Sequence, residues 1–189
     1  MKLTRAELEA FRDKEVDDLV GPGLRLLFVG INPGLMTAAT GTHFNYPGNR
    51  FYPALTRAGI VDMSDFARGT PMSGEHRQRL LDRGIGISNL VRRATVRASE
   101  LSTEELRRGG EELERFVAEV QPKVVAVAGV TAYRQAFRRP KAQLGRQEEL
   151  LAGAQVWVVP NPSGLNAHDT VETLAAAYRA AAEAAGINS

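Results

Sequence analysis

Cysteine is absent from this sequence of 189 residues. Its absence excludes disulfides, thiolate metal sites and a cysteine nucleophile. An excess of one charge is also missing, because 24 Lys and Arg oppose 22 Asp and Glu and leave a formal net charge of +2. This balance permits binding to nucleic acid but does not argue for it, since the placement of charges matters more than their total.

Long hydrophobic runs are missing as well. No stretch approaches the length of a transmembrane helix, and the residues after Met1 contain no apolar segment typical of a signal peptide. We therefore expect a cytoplasmic protein that does not bind membranes. Hydrophobic residues still make up 43% of the chain, which is enough for a core at this length. We predict a single domain over residues 1–189, with an amino-terminal helix in residues 1–20 packed on it.

Continuous apolar runs are typical of strands that are buried on both faces. The sequence contains three of them, at 24–29, 124–128 and 156–159, and a further short strand is predicted at 85–90. Buried strands that alternate with helices predict a parallel sheet covered on both sides. The predicted fold is therefore α/β, a three-layer α/β/α domain around a central, mainly parallel sheet.

Two helix starts are marked by capping boxes, in which a Ser or Thr side chain and a Glu three residues later bond each other's backbone N–H groups. The two pairs are Thr4 with Glu7 and Ser102 with Glu105. Further helices are predicted at 49–58, at 75–83, from Thr131 onward, and from a cap at Asp169 to Gly186. Residues 31–47 are rich in Gly, Pro, Thr and Asn, and we predict a loop there.

Two Asn-Pro segments directly follow predicted buried strands. One is 30–34 (Gly-Ile-Asn-Pro-Gly) and the other is 161–166 (Asn-Pro-Ser-Gly-Leu-Asn). In open α/β sheets, ligands bind outside the carboxyl ends of the strands. Each segment alone is equally well explained as a turn, because Asn, Pro and Gly are common turn residues. Their joint placement at two strand ends favours a shared site.

The two segments together resemble the mismatch-specific uracil-DNA glycosylases and their thymine-DNA glycosylase relatives. The resemblance extends to Thr40-Gly41, Phe44, Pro47, 49–52 (Asn-Arg-Phe-Tyr), 89–91 (Asn-Leu-Val) and 93–95 (Arg-Ala-Thr). It implies a uracil-DNA glycosylase-like fold and a monofunctional enzyme of base excision repair. Such an enzyme flips uracil from a G·U-type mismatch in duplex DNA and hydrolyses the N-glycosidic bond, which leaves an abasic site.

Asn32 matches the family asparagine that positions the attacking water. An amide cannot act as a base at neutral pH, but it can orient water. The oxocarbenium-like sugar then needs only a weak nucleophile, as in glycoside hydrolysis. The alternative is that Asn32 only shapes the turn after the strand.

The resemblance also implies a pocket for the extruded base. Phe44 matches the aromatic residue that stacks on this base, although a core phenylalanine is the ordinary alternative. Backbone amides near Ile31 would stabilise the leaving uracil anion. Gly34 and Thr37 are small, so we expect some acceptance of uracils substituted at the five position. Asn161 would contact the base or its sugar.

The second segment resembles the loop that fills the space left by the flipped nucleotide. Gly164 and Leu165 would be the wedge, and Gly164 and Asn166 would contact the opposite guanine. Without the resemblance, Leu165 would be read as an ordinary loop leucine. Relatives often carry an arginine shortly after this leucine, whereas this chain has 167–168 (Ala-His) there.

Basic residues are candidates for phosphate contacts, which make DNA binding salt-dependent. We assign this role to Arg50 and Arg93, together with the hydroxyl of Ser163. Relatives often carry an acid at the position of Arg92, so this chain either grips DNA differently or lacks a local ion pair. A further basic cluster at Arg134, Arg138, Arg139 and Lys141 is equally well explained as a solvated helix face.

Other chemistry has little support in the sequence. The three histidines, His43, His76 and His168, lack metal-ligand spacing and are expected to be exposed. Neither Asn-Pro segment contains a lysine, so no Schiff-base step is expected. Asp82 is better explained as a surface or capping residue than as a base. We predict no metal and no cofactor, with double-stranded DNA containing uracil or a related damaged pyrimidine as partner of a monomeric protein.

Two other functions stay open. One is a nucleotide-binding enzyme on a flavodoxin-like sheet, although neither Gly-x-x-x-x-Gly-Lys-Ser/Thr nor Gly-x-Gly-x-x-Gly occurs. The other is a DNA-binding module without catalysis, which would keep Leu165 but would not need Asn32.

Overall fold

Five strands form one sheet in the computed structural model, which describes residues 2–188. The strands are β1 (Leu26–Gly30), β2 (Ile85–Asn89), β3 (Val124–Ala128), β4 (Gly145–Arg146) and β5 (Gln155–Val159). Their order is β2-β1-β3-β5-β4. All neighbours run parallel except the two-residue β4, which is antiparallel to β5. The mainly parallel sheet predicted from the apolar runs is confirmed.

Helices cover both faces of the sheet. They are α1 (Arg5–Glu9), α2 (Leu35–Thr40), α3 (Phe51–Arg57), α4 (Gly74–Asp82), α5 (Thr103–Val120), α6 (Val130–Ala136) and α7 (Val171–Ala184), with a short 3-10 helix at Ala98–Glu100. Alternate residues of β1 enter different cores, with Phe28 packed among α3 and α7 and Val29 among α5 and α6. This alternation buries β1 on both faces, and it confirms the three-layer α/β/α fold. Within residues 2–188, no helix has the length and hydrophobicity that crossing a membrane requires.

The helix predictions differ from the structure in length and in one omission. Both capping boxes are present, but the helix that starts at Thr4 is only five residues long. The cap of the last helix is Thr170 instead of Asp169. The predicted loop at 31–47 contains α2, whose six residues span fewer than two turns. A helix this short shows no recognisable hydrophobic period, so the composition of its surroundings dominated the prediction.

The amino-terminal segment covers the free edge of β2. Leu19 and Ile87 exchange two backbone hydrogen bonds of 2.9 and 2.8 Å, and the backbone N–H of Asp13 donates to the carbonyl of Ala94. An uncovered strand edge would expose a row of backbone donors and acceptors. Residues 15–19 therefore lie along β2 and the loop after it and are joined to them by isolated bridges at Glu15 and Leu19, which the prediction of a packed helix did not include.

Candidate active site

The two Asn-Pro segments leave the sheet at the same edge. Gly30 is level with Asn89 in the β1–β2 pair, and Ala128 is level with Val159 in the β3–β5 pair. The β1–β3 pair is in step with them, so the loops after β1 and β5 leave the same end of the sheet, on either side of β3. The loops after β1 and β2 are joined further along, because the N–H of Thr95 donates to the carbonyl of Pro33 at 3.1 Å.

Asn32 is held by the loop that follows β2. Its Nδ2 donates to the carbonyl of Arg93 at 3.0 Å and to the hydroxyl of Thr95 at 2.8 Å. These two bonds use both amide hydrogens. No donor among the described residues bonds to Oδ1, so this half-buried side chain keeps a fixed acceptor for a ligand or a water. Asn32 thus does more than shape its own turn.

Phe44 and Asn89 lie next to each other over Gly30, at the end of β1. A Cβ atom placed on Gly30 would lie 2.7 Å from Oδ1 of Asn89 and 3.3 Å from two ring carbons of Phe44. The half-buried ring of Phe44 stacks on Phe51, with 4.2 Å between centroids and 29° between planes. Its backbone has a φ of 54°, a left-handed conformation that a bulky residue seldom adopts and that is more frequent at functional sites. Phe44 therefore packs against the core through Phe51 and is also partly accessible beside Asn89, and its stacking on an extruded base stays a prediction.

Asn89 is the residue that the sequence analysis missed. It was noted only within the resemblance, with no role of its own. The available signal was a polar amide at the end of an otherwise apolar strand, at the edge where α/β sheets bind ligands. The structure brings Asn89 beside Phe44, and both side chains pack against Gly30.

His43 is buried behind Asn89, which corrects the expectation that it is exposed. Only 5% of its surface is accessible. Its Nε2 lies 2.8 Å from the carbonyl oxygen of Asp17, and its Nδ1 lies 3.2 Å from Nδ2 of Asn89. Burial lowers the pKa of the imidazole below its ordinary value of 6.5, because desolvation disfavours the charged form. The polar composition of this segment gave no sign that β2 and residues 17–18 enclose the ring.

The remaining predicted pocket residues are less closely grouped. Thr37 is buried, and its hydroxyl accepts a bond from the N–H of Asn45 at 3.4 Å. It therefore holds the loop together, which differs from its predicted place on the pocket surface. Gly34 is exposed at the start of α2, with open space around its Cα. The side chain of Ile31 points toward Gly129, at the end of β3.

The segment 161–166 folds into a loop braced by its own side chains. Oδ1 of Asn161 accepts from the N–H of Ser163 at 3.0 Å, and the hydroxyl of Ser163 accepts from the N–H of Leu165 at 3.2 Å. Nδ2 of Asn166 donates to the carbonyl of Asn161 at 3.0 Å and to the carboxylate of Asp169 at 2.9 Å. Leu165 stands at the tip of this loop with 83% of its surface exposed. We call residues 161–166 the tip loop.

Arg50 ties the tip loop to the start of α3. Its guanidinium donates to the carbonyls of Ser163 and Asn166, both at 2.8 Å, and also to that of Asp169. Gly164 lies against Gly48, since a Cβ on Gly164 would be 3.0 Å from the Gly48 carbonyl oxygen. The tip loop therefore contacts residues 48–50, which follow Phe44 closely along the chain.

Several predicted DNA contacts have intramolecular partners instead. Arg50 donates to carbonyls of the tip loop, and the side chains of Asn161 and Asn166 bond within this loop and to the residues 168–169 that follow it. Arg93 forms ion pairs with Glu105 at 2.6 Å and Asp13 at 2.9 Å. These residues serve to shape the loops, and a phosphate or guanine contact by any of them stays a prediction.

Arg92 forms an ion pair of its own. Its guanidinium lies 2.7 Å from the carboxylate of Asp18, which also accepts a bond from the hydroxyl of Ser88 at 2.8 Å. The arginine therefore supplies a local ion pair by joining the amino-terminal segment to the loop after β2. Glu105, the partner of Arg93, has its pKa lowered to about 2 by the bonds from that guanidinium.

Asp82 and His76 both lie away from the two Asn-Pro segments. Asp82 ends α4, just before the amino end of β2, and so lies at the opposite edge of the sheet. His76 bonds with Ser73 and Asp65 on the surface of α4. Over residues 2–188, no three His, Asp or Glu side chains are grouped closely enough to hold a metal ion.

The second basic cluster splits into two kinds of residue. Arg139 pairs with Glu149 at 3.4 Å, as a solvated face would. Arg134 and Arg138 line a shallow cleft between α5 and α6 together with Arg107. This cleft is distant in sequence from both Asn-Pro segments.

Comparison with known proteins matches this chain to one family and to solved structures. The sequence model of the uracil DNA glycosylase superfamily matches residues 18–183, which is most of the chain. The fold is similar to the solution NMR structure of a candidate uracil DNA glycosylase from Methanosarcina acetivorans, with a TM-score of 0.62. That match has 17% sequence identity and covers 90% of this chain and 98% of the other.

Proposed function

Because the chain belongs to the uracil DNA glycosylase superfamily, we propose that it is a monofunctional glycosylase that acts on G·U-type mismatches in duplex DNA. Membership supports a DNA glycosylase of base excision repair, a hydrolase that acts on uracil-containing DNA. The finer proposal adds that uracil is flipped out of the duplex, that water cleaves the bond without a lyase step, and that the enzyme works as a cytoplasmic monomer.

The observation that carries this proposal is the hydrogen bonding of Asn32. Both of its amide hydrogens are used by the neighbouring loop, so Oδ1 is fixed as an acceptor. An acceptor can orient a water by accepting a hydrogen bond from it. An oxygen lone pair of this water is then directed at the sugar. As the N-glycosidic bond breaks, positive charge grows on the sugar, and this water adds to C1′ without needing a strong base.

The base would bind beside Gly30, against the accessible sides of Phe44 and Asn89, which are both half-buried. These two side chains can meet over Gly30 because position 30 has no Cβ, which would collide with the amide of Asn89 and press on the ring of Phe44. That ring offers a stacking surface, and the amide of Asn89 offers one donor and one acceptor to the edge of a pyrimidine. Hydrogen bonds from fixed donors also stabilise the negative charge that develops on the leaving base.

The tip loop would enter the duplex. Leu165 has 83% of its surface exposed, so its apolar side chain is available for contact with DNA. Intercalation would bury it and fill the gap left by the flipped nucleotide. The internal bonds of the loop hold the leucine outward before DNA arrives, so little ordering is needed on binding.

A duplex oligonucleotide with one G·U pair tests the proposal. We expect alkali-dependent strand breakage at the uracil by the natural protein, and a loss of single-turnover rate of at least about a hundredfold in Asn32→Ala. Affinity for the same duplex should stay within about twofold of the natural value, because Asn32 acts on water. The matched control is Asn188→Ala, an exposed asparagine at the far end of the chain.

Each alternative predicts a different outcome. Binding without breakage by the natural protein would indicate a DNA-binding module, and neither binding nor breakage would contradict the proposal altogether. Breakage that occurs without alkali would contradict the monofunctional mechanism. Equal cleavage of G·U, A·U and single-stranded substrates would contradict the mismatch preference alone.

A further inference from the structure

The contact between His43 and Asn89 has no role in the mechanism above. A histidine that is 5% accessible lies directly behind the amide that would read the base. A buried polar side chain costs stability unless its hydrogen bonds are satisfied. Both ring nitrogens of His43 have partners, which makes the arrangement a defined one.

The partners of the ring determine which nitrogen carries the proton. Nε2 lies 2.8 Å from a backbone carbonyl, that of Asp17, and a carbonyl can only accept. The proton of a neutral imidazole must therefore be on Nε2, which leaves Nδ1 as an acceptor. The group 3.2 Å from Nδ1 must then be a donor, which is Nδ2 of Asn89.

This bond fixes the amide of Asn89 in one of its two orientations. Nδ2 faces His43, and Oδ1 lies on the side of Gly30, in a side chain that is only half-buried. The reverse orientation would place Oδ1 against the lone pair of Nδ1, which is repulsive. One N–H of Asn89 and its Oδ1 are then presented to a ligand in a set order.

We propose that His43 is a positioning residue that selects uracil over cytosine by fixing the amide of Asn89. The inference rests on the proposed function, because it needs the base to bind against Phe44 and Asn89. Uracil presents an acceptor, O4, beside a donor, the N–H of N3. Cytosine presents the reverse, a donor at the four position beside an acceptor at N3. An amide in one orientation matches only one of the two bases, and a rotating amide would match both.

Cytosine is the base that such an enzyme must leave alone, since it is abundant in undamaged DNA. Leaving a buried donor or acceptor without a partner costs more than the bond itself contributes. Discrimination based on hydrogen bonds can therefore be much larger than discrimination based on a methyl group. A fixed amide gives this discrimination, and His43 is the group that fixes it.

The protonation state of His43 controls the orientation of the Asn89 amide. A protonated ring would carry hydrogen on both nitrogens, and Nδ1 would then repel Nδ2 of Asn89. The charged groups that face the ring are Asp18, beside the Asp17 carbonyl, Arg77 on α4, and Arg92 after β2. Burial and the two arginines lower the pKa of His43, whereas Asp18 and the carbonyl raise it, and burial dominates. The neutral form therefore persists below pH 6.5.

The experiment compares two substitutions of His43. In His43→Gln, the new amide can donate to the Asp17 carbonyl and accept from Asn89, but it cannot be protonated. In His43→Leu, neither bond can form. Single-turnover rates would be measured on matched duplexes with one G·U or one G·C pair, from pH 5 to pH 8, after thermal unfolding has established that both variants fold.

We expect the rate of uracil excision by the natural protein to fall as the pH drops through the lowered pKa of His43. We call this decrease the acid limb of the pH profile. His43→Gln should keep the preference for uracil over cytosine and lose this acid limb. His43→Leu should excise uracil about tenfold more slowly, which corresponds to one lost hydrogen bond, and its preference for uracil should fall by at least as much. A merely structural histidine would not change the pH profile or the preference.

Failure of this inference can be distinguished from failure of the proposed function. If the natural protein cuts G·U duplexes and His43→Leu keeps both the natural preference and the acid limb, the positioning role is wrong. If His43→Leu does not fold, an acid limb that persists in His43→Gln overturns the role equally. A third readout is independent of activity, because nitrogen NMR of the free protein should detect the proton on Nε2, and a proton on Nδ1 alone would also overturn it. If the natural protein cuts no uracil duplex, the proposed function itself fails.

Discussion

At the scale of single residues, polar groups in the interior decide how the site is built. The bonds of Asn32 leave only its Oδ1 without a donor among the described residues, whereas both ring nitrogens of His43 are used, one of them by Asn89. The two fully buried tyrosines make a useful contrast. The hydroxyl of Tyr52 donates to the carbonyl of His43 at 2.7 Å, whereas the hydroxyl of Tyr178 has no partner among the described residues. Burial raises the pKa of both, so both stay neutral.

Removing these two hydroxyls should change the free energy of unfolding in opposite directions. Tyr178→Phe deletes a buried group without a hydrogen bond, so we expect an increase of up to about 1 kcal/mol. Tyr52→Phe leaves the His43 carbonyl without its donor, so we expect a decrease of about 1 to 2 kcal/mol. The aromatic contacts of both rings stay in place. Urea denaturation measures both values, and a loss of stability in Tyr178→Phe would contradict the assignment.

At the scale of elements, the tip loop is organised by a residue from another element. Arg50, at the start of α3, donates to three carbonyls of residues 163–169. Backbone carbonyls in a loop have no partners within a helix or sheet. A single guanidinium has enough donors to bond three of them. The loop thereby keeps Leu165 exposed without secondary structure of its own.

Shortening Leu165 tests the role of the tip loop. Leu165→Ala should lower uracil excision by about tenfold, since the apolar contact made on insertion into the duplex is lost. Stability should not change, because the side chain contacts little in the free protein. The matched control is Leu150→Ala, a leucine that is 61% exposed shortly before β5 and so near the opposite edge of the sheet. Equal losses of activity in both variants would contradict the wedge role.

At the scale of the whole molecule, close packing of α5 on the sheet supports the loop that holds Asn32. A Cβ on Gly109 would lie 2.1 Å from the carbonyl oxygen of Leu90, just after β2. No side chain can occupy that space. The helix therefore approaches the backbone of the loop that runs on to Arg93 and Thr95, the two partners of Asn32.

Gly109→Ala should therefore destabilise the whole domain. We expect the free energy of unfolding to fall by about 3 kcal/mol, because the helix and the loop must move apart. The matched control is Gly74→Ala in the first turn of α4, where a Cβ meets nothing within 4 Å. That variant should be neutral or slightly stabilising, since alanine loses less entropy on folding. Chemical denaturation of both variants measures the difference, and similar values would contradict the packing argument.

The sequence by itself determined the sheet and the ends of its strands. Apolar runs buried on both faces have few structural alternatives, and the two capping boxes form from local residues alone. For the same reason Asn32 and Leu165 could be found from their placement after strands. Short elements such as α2 and β4 could not, because they are too short to carry a period.

Only the tertiary structure decided which polar groups are used by the protein and which are left for a ligand. Arg50 and Arg93 look like phosphate contacts in the sequence, yet their donors are bonded to carbonyls and carboxylates far along the chain. His43 and Asn89 are separated by 46 residues, and their bond exists only because β2 lies beside β1. A hydrogen bond needs both partners within about 3 Å, so no local pattern can encode a pair that the sheet brings together.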